Sequence, residues 1–132
     1  MPFRFEFDSK NKILRTNFDG RVTDEDFEQF YRVAGPKIMA SLEFRGAITD
    51  FTNVTSMEMT PELARALAWS APLDQEASRP RIIVAPAASA YGLARIFSSH
   101  GEDTRPSLHV VRSLEQAYAI LGITNAEFKP IE

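Results

Sequence analysis

The sequence predicts a single α/β domain: a mixed β-sheet that begins with an N-terminal hairpin and carries helices packed on it. Residues 3–8 alternate between apolar and charged side chains, which is typical of a strand with one buried face. Further along, short apolar strands alternate with amphipathic helices. The length of 132 residues suits one domain, and no repeat or linker divides it. We expect the order β-β-α-β-α-β-α-β-α, with a domain over residues 1–122 and a C-terminal tail over residues 123–132.

The predicted hairpin is the first element of the chain. Phe3, Phe5 and Phe7 share one face of the first strand, and the charged residues between them share the other. Residues 9–12 form the turn, and Ile13 to Phe18 return as the second strand. Asp19-Gly20 is expected to close that strand.

The first helix is predicted to begin at Thr23. Its hydroxyl suits an N-cap, and the acidic residues 24–26 that follow suit the positive end of the helix dipole. Apolar residues then keep helical spacing as far as Ile38. Gly35-Pro36 interrupts this stripe, so we expect a kink or a break there.

A buried strand from Gly46 to Phe51 is predicted next, followed by a loop over Asn53–Met59. Thr60-Pro61-Glu62 is a strong helix start, with a capping threonine, proline at the first helical position and an acid in the first turn. We expect Pro72 to end this helix and residues 74–80 to form a polar connection. The predicted packing stripe of the helix is Leu63, Ala66, Leu67 and Ser70.

The second half of the chain repeats the strand-helix pattern. Arg81–Ala85 and Leu108–Val111 are predicted strands, with a helix over Ala87–Ser99 between them. The last helix is expected to begin at a Ser113 cap and to end at Gly122, with residues 124–132 loosely held. Because βα crossovers are right-handed, most of the later strands should be parallel.

Composition excludes several classes of protein and site. The net charge is −3 and the basic residues are scattered, which argues against a nucleic-acid-binding face. There are no cysteines, so disulfides, thiolate nucleophiles and cysteine-based metal sites are excluded. The charged N-terminus is unlike a secretory signal, and no apolar run approaches the roughly 20 residues that span a bilayer. We expect a cytoplasmic protein without a cofactor.

Three stretches carry a resemblance to a known family. They are Ile48–Thr55, Ile83–Pro86 continuing into Ala90–Arg95, and Val110–Ala117. With the order of elements from Phe3 to Gly122, they resemble the STAS family of anti-sigma-factor-antagonist-like domains, and in particular its small SpoIIAA-like members. The resemblance implies a STAS-like fold and a non-catalytic regulatory module that acts by protein–protein contact.

The resemblance also implies a place for a phosphorylation switch. In the antagonists, an Asp-Ser-Ser-Gly-like motif carries the serine that is phosphorylated. By position the motif falls on Glu58-Met59-Thr60-Pro61, where Glu, Met and Pro replace Asp, Ser and Gly. Thr60 would then be the phosphoacceptor, whereas the residues themselves predict that its hydroxyl caps the helix. Both interpretations stay open at this point.

Two further candidates lie around the same predicted loop. Asp50 is near the carboxyl end of a predicted central strand, at the edge where open α/β sheets bind ligands, although an acid there also fixes a loop by accepting backbone N–H bonds near Thr52 and Asn53. Met57 and Met59 flank Glu58 and suit either an adaptable contact surface or packing beneath the next helix.

The third helix offers a possible partner-binding pair. Tyr91 and Arg95 are four residues apart, on a face predicted to differ from that of Leu93 and Phe97. Arg95 suits an anion or an acidic partner, and the alternative is surface packing of the Arg stem along the ring.

No catalytic set is evident. His100 and His109 have no metal-ligand spacing, and residues 101–103 suggest a solvated loop. We therefore expect a binding module rather than an enzyme, and homodimerisation is plausible. A carrier of a small hydrophobic ligand is the alternative, because ten phenylalanines are present and STAS-like folds resemble the CRAL-TRIO class in layout. A small enzyme that uses Asp50, Glu58 or His100 as acid or base is the third hypothesis.

Overall fold

The computed structural model describes residues 2–69, 79–100 and 107–131. Predictions for Ser70, Pro72, residues 74–78 and the loop 101–103 lie outside this range. The strands are β1 (Phe3–Asp8), β2 (Ile13–Val22), β3 (Gly46–Met57), β4 (Arg81–Val84), β5 (Leu108–Val111) and β6 (Lys129–Pro130). The helices are α1 (Asp24–Gln29), a π-helical turn (Phe30–Ala34), α2 (Gly35–Ser41), α3 (Pro61–Trp69), α4 (Ala88–His100) and α5 (Leu114–Leu121).

The described strands form one mixed sheet in the order β5-β4-β3-β2-β1-β6. β1 and β2 form the expected antiparallel hairpin, with Phe3 opposite Phe18 and Asp8 opposite Ile13. β2, β3, β4 and β5 are parallel neighbours, as predicted from the handedness of βα crossovers. β6 pairs antiparallel with the outer edge of β1.

The main core lies between the sheet and the helices that connect its parallel strands. Each of these connections moves one strand further in the same direction, so right-handed crossovers bring α1 and α2, α3 and α4 to the same face. Phe18 is fully buried at the centre of this layer, and its ring centroid lies 5.1 Å from those of Phe30 and Phe51. The single-sided arrangement concentrates the phenylalanines in one layer.

The opposite face has a smaller core beneath α5 and the C-terminal segment. Its buried members are Ile13, Ile48, Ile82, Val84, Ala117, Leu121 and Ile123. The Ser113 side chain caps α5 by accepting the Gln116 N–H at 3.3 Å, and Gly122 ends the helix with φ of 67°. Both predicted ends of this helix are confirmed.

The predicted start of α1 is also confirmed. The Thr23 hydroxyl accepts the Asp26 N–H at 3.3 Å, and the Asp26 carboxylate accepts the Thr23 N–H at 3.0 Å. This reciprocal arrangement is a capping box, which satisfies two otherwise unpaired N–H groups.

The chain remains helical at Gly35-Pro36, where a kink or break was expected. The Gly35 N–H donates to the Phe30 carbonyl five residues earlier, which makes a π-helical turn. A Cβ atom at position 35 would lie 2.7 Å from that carbonyl oxygen, so the turn requires glycine. Pro36 lacks an N–H, and the chain passes it through a wider turn rather than a break.

Two central strands extend beyond their predicted ends. The prediction of a loop over Asn53–Met59 is therefore largely wrong. β2 continues through Asp19-Gly20 to Val22, and β3 continues to Met57. The two extensions pair with each other, with Val22 opposite Met57. Polar residues over 52–56 resemble a loop in sequence, but pairing with β2 keeps them extended.

The packing stripe predicted for α3 is partly wrong. Leu67 is buried and Leu63 is partly buried as expected, whereas Ala66 is exposed. Ala64 and Ala68 provide the remaining buried positions and join the main core. The buried face of the helix therefore carries Ala64, Leu67 and Ala68, and Ala66 lies outside it.

The C-terminal tail is not loosely held. Lys129 and Pro130 pair with Phe7 and Glu6 of β1, and Phe128 packs on the smaller core. Asp8 fixes the segment in place, since its buried carboxylate accepts the Glu127 N–H at 3.1 Å. The same carboxylate accepts three bonds from the hairpin turn, from the Lys10 N–H and from the Asn11 N–H and side-chain amide.

Replacing Asp8 with alanine is expected to lower the free energy of unfolding by about 1–3 kcal/mol, because buried N–H groups lose their acceptor. Asp19→Ala is the control, since it removes an exposed ion pair with Arg4, and such pairs contribute about 0–1 kcal/mol. Urea unfolding near neutral pH measures both changes. Equal losses in the two variants would contradict the role of Asp8.

Asp8 should also make stability depend on pH. Burial raises its pKa, but hydrogen bonds from Asn11, Glu127 and Lys10 together hold the pKa below the usual 3.8. Because the folded-state pKa is lowered, this contribution is present above the unfolded pKa and is lost as pH falls through the folded pKa. We expect wild-type stability to fall more steeply than that of Asp8→Ala below about pH 4, measured by urea unfolding.

Candidate functional site

The starts of α1 and α3 meet at the edge of the sheet where β2 and β3 end. Asp24, in the first turn of α1, joins them through Thr60. One carboxylate oxygen of Asp24 accepts the Thr60 N–H at 2.7 Å, and the other accepts the Thr60 hydroxyl at 3.0 Å. We call this contact the Asp24–Thr60 clamp.

Thr60 caps α3, as its residue type and position predict. Its Oγ1 accepts the Leu63 N–H at 3.2 Å while the hydroxyl donates to Asp24. A phosphoryl group on Oγ1 would remove that donor and add a charge of about −1.5 to −2 beside the Asp24 carboxylate. Phosphorylation of Thr60 therefore requires the Asp24–Thr60 clamp to open.

Glu58 lies at the exposed turn between β3 and α3. Its Oε2 accepts from the Arg21 Nε at 2.6 Å and from the Ser56 hydroxyl at 3.0 Å. These two hydrogen bonds hold the pKa of Glu58 below its usual 4.5, and the pairing raises the pKa of Arg21. Because both side chains are well exposed, the pair adds little to stability, and both remain accessible to a partner.

The two methionines beside Glu58 pack inwards rather than forming an exposed surface. Met59 is buried in the main core, and Met57, the last residue of β3, packs partly buried against the same cluster. The structure therefore supports the second of their two predicted roles, packing under the following helix.

Tyr91 and Arg95 of α4 differ from their predicted pairing. Tyr91 is partly buried against the main core, as are Leu93 and Phe97, so it does not lie on a separate face. The cation over its ring is Arg112, whose guanidinium carbon lies 4.8 Å from the ring centroid. Arg112 is fixed there by donating to the Pro86 carbonyl at 2.6 Å, and Arg95 is exposed.

Asp50 fixes the backbone locally, which was one of its two predicted roles. It lies within β3, opposite the last residue of β4, rather than at the end of its own strand. Its side chain is nearly buried, and one carboxylate oxygen accepts both the N–H and the hydroxyl of Thr52. Ile48 shares its side of β3, which faces the smaller core, so Asp50 lies across the sheet from Met59.

A small apolar cavity lies between the sheet and α1, α3 and α4. Its volume is about 30 Å³, well below the roughly 150 Å³ of an engineered apolar cavity that binds benzene. The space is too small for an acyl chain. Its lining comprises Phe27, Phe30, Tyr31, Thr49, Phe51, Met57, Met59, Ala64, Leu67, Arg81, Ile83, Ala90, Leu93, Ala94 and Phe97.

The acids and bases considered for catalysis do not converge in the described part of the chain. Asp50 is nearly buried within the sheet, whereas Glu58 is exposed at the far end of β3. The side chain of His100 lies outside the described atoms. Within residues 2–69, 79–100 and 107–131, no three potential metal-ligating side chains come together. Among the same residues, no helix is long and apolar enough to cross a membrane.

The partners that position the site were not predictable from the local sequence. Asp24 was interpreted only as part of an acidic helix start, and Arg21 and Arg112 received no role. Local sequence carries no signal for the contact of Asp24 with Thr60, because 36 residues separate them. The pairing of β2 with β3 would have indicated Arg21, since Arg21 lies opposite Ser56.

Comparison of the fold identifies a solved structure that is similar along nearly the whole chain. It is the anti-sigma factor antagonist SpoIIAA in its unphosphorylated form, at a TM-score of 0.58 and 18% sequence identity. The match covers 93% of this chain and 99% of the antagonist. The chain therefore has a STAS-like fold, as predicted. No protein-family model matches the sequence, and no curated protein matches it.

Thr60→Glu is expected to lower the free energy of unfolding by about 1–2 kcal/mol, because it removes the cap and sets a second carboxylate against Asp24. Thr60→Ser keeps the hydroxyl and should stay close to wild type. In an Asp24→Asn background, the cost of Thr60→Glu should shrink, since the like-charge contact is gone. Urea unfolding of the four combinations measures this coupling, and an unchanged cost in the Asn background would contradict it.

Proposed function

We propose that this protein is a non-catalytic regulatory module that acts by binding a protein partner. The observation that carries the proposal is the match with an anti-sigma factor antagonist over 93% of the chain.

The proposed contact surface lies at the edge of the sheet where α3 and α4 begin. Glu58 is exposed at this edge, and Arg95 is exposed two turns into α4. Met59 and Tyr91 pack on the main core. The Asp24–Thr60 clamp holds the surface in shape, so Thr60 serves here as a structural residue. Burial by a partner would strengthen the effect of the exposed charges, because the contact excludes water.

Charge reversal at Arg95 tests the surface. We expect Arg95→Glu to weaken the affinity for the main partner in a lysate of the source cells by about tenfold, a loss of about 1.4 kcal/mol, and so to reduce its recovery. Lys37→Glu on α2 is the matched control, since it makes the same charge change at another exposed position. Affinity purification with quantitative mass spectrometry compares the three proteins, and identical recoveries would argue against this surface.

The carrier alternative makes a different prediction. A cavity of about 30 Å³ leaves no room for a lipid, so native mass spectrometry of the purified protein should show the mass of the polypeptide without one. A bound lipid that persists after purification would favour the carrier instead. Homodimerisation stays a prediction, which the same spectra address.

A further inference from the structure

The outer half of β3 is paired on one side only. β2 accompanies β3 as far as Met57, whereas β4 pairs only with Ala47–Asp50. Within the described ranges, no strand lies against the β4 side of residues 52–57. β4 ends at Val84, and the chain then leaves the sheet through Ala85, whose N–H donates to the Val111 carbonyl of β5.

The edge over residues 52–57 has the properties of a site for an added strand. Unpaired N–H and C=O groups of an edge strand are a template for another extended chain. Asn53 and Thr55 are exposed, and no lysine or proline interrupts the segment. The Thr52 N–H already donates to the Asp50 carboxylate, so the N–H groups open to an added strand lie beyond Thr52. The sheet's outer strand β6, by contrast, has two residues, one of them proline.

The shape of the edge limits the length of any added strand. The register between β2 and β3 shifts twice, between Asn17 and Asp19 and again between Gly20 and Arg21. At the second shift, Thr55 has no residue opposite it on β2. Such bulges increase the local twist, so the edge suits a short extended segment rather than a long flat strand.

The charge at one end of the edge indicates the chemistry of its occupant. The acidic first turns of α1 and α3 meet beyond Met57 because of the Asp24–Thr60 clamp. The positive charge of Arg21 neutralises the negative charge of Glu58, whereas Glu25 and Glu62, in the first turns of α1 and α3, are exposed. A partner chain with basic residues at this end would complement the surface.

We propose that residues 52–57 of β3 bind a short extended segment of a partner polypeptide as an added strand, with uncharged residues along the edge and basic residues at the Glu62 end. This inference deepens the proposed function and rests on it, since it specifies how a protein partner would bind. Main-chain hydrogen bonds supply the affinity, and the acidic end sets the position of the segment.

Synthetic ten-residue peptides of alternating threonine and valine test the edge. One peptide carries two lysines at its amino end and a second carries them at its carboxyl end. In the two control peptides, glutamates replace these lysines. We expect one lysine peptide to bind more tightly than the glutamate peptides in fluorescence anisotropy. Hydrogen exchange should slow within residues 52–57 when that peptide is bound. Failure of every peptide to bind, or protection elsewhere only, would overturn the proposal.

Two edge variants and a control complete the experiment. Thr55→Pro and Thr55→Lys should each weaken binding by at least about tenfold. Ala119→Lys, on the exposed side of α5, should bind as wild type does. Thermal unfolding checks that all three variants fold. If Thr55→Pro does not fold, Thr55→Lys alone decides the test.

The outcomes separate this inference from the proposed function. Peptide binding that is unchanged in folded Thr55→Lys would overturn the edge site. The partner whose binding Arg95→Glu weakens is also measured on Thr55→Lys. If Thr55→Lys binds this partner as well as wild type does, the proposed function stands and the edge site does not. A wild-type dimer that Thr55→Lys dissociates would show that a second copy occupies the edge, and would also overturn the proposal.

Discussion

The handedness of the β-α-β crossovers determines most of the remaining structure. Because β2, β3, β4 and β5 follow one another in one direction, the helices described in their connections lie on one face of the sheet. That face has a thick aromatic core centred on Phe18. On the other face, α5 is the one helix among the described residues, and the C-terminal segment with Ile123 and Phe128 completes the cover. The same constraint brings the first turns of α1, α3 and α4 to a single edge, where acids, caps and exposed charges come together.

Elements whose signal is local were predictable from sequence. The alternation over Phe3–Phe7 gave the hairpin, and the caps at Thr23 and Ser113 gave two helix starts that the structure confirms. The extension of β3 to Met57 was not predictable in this way, because threonine, asparagine and serine there are as typical of loops as of strands. Its conformation depends on pairing with β2, more than 30 residues away in sequence. The C-terminal strand was missed for the same reason, since its position depends on the carboxylate of Asp8.

In the candidate site, too, some contacts are predictable from the local sequence and others depend on how distant elements meet. The capping role of Thr60 follows from the Thr60-Pro61-Glu62 sequence, whereas its second bond, to Asp24, depends on how two helices meet. That second bond changes the functional argument, because it commits the hydroxyl that a phosphoryl group would need. Tyr91 shows a similar effect, since the cation over its ring comes from Arg112 after β5 rather than from Arg95 one turn away. The STAS-like fold is therefore well supported, while the role of its loop must be argued from this chain's own contacts.

The strand pairing of Lys129 and Pro130 has a practical consequence for handling the protein. The sequence pattern predicts that the domain ends at Gly122. Truncation of the protein after this residue would therefore be expected to leave the domain intact. Such a fragment would lack the residues that lie along β1, so the main-chain groups of Phe7 would face solvent and the aliphatic surface under Phe128 would be uncovered. Bare strand edges beside apolar surface favour aggregation. A fragment of residues 1–122 would therefore be prone to collect in inclusion bodies, even though every predicted helix remained in it.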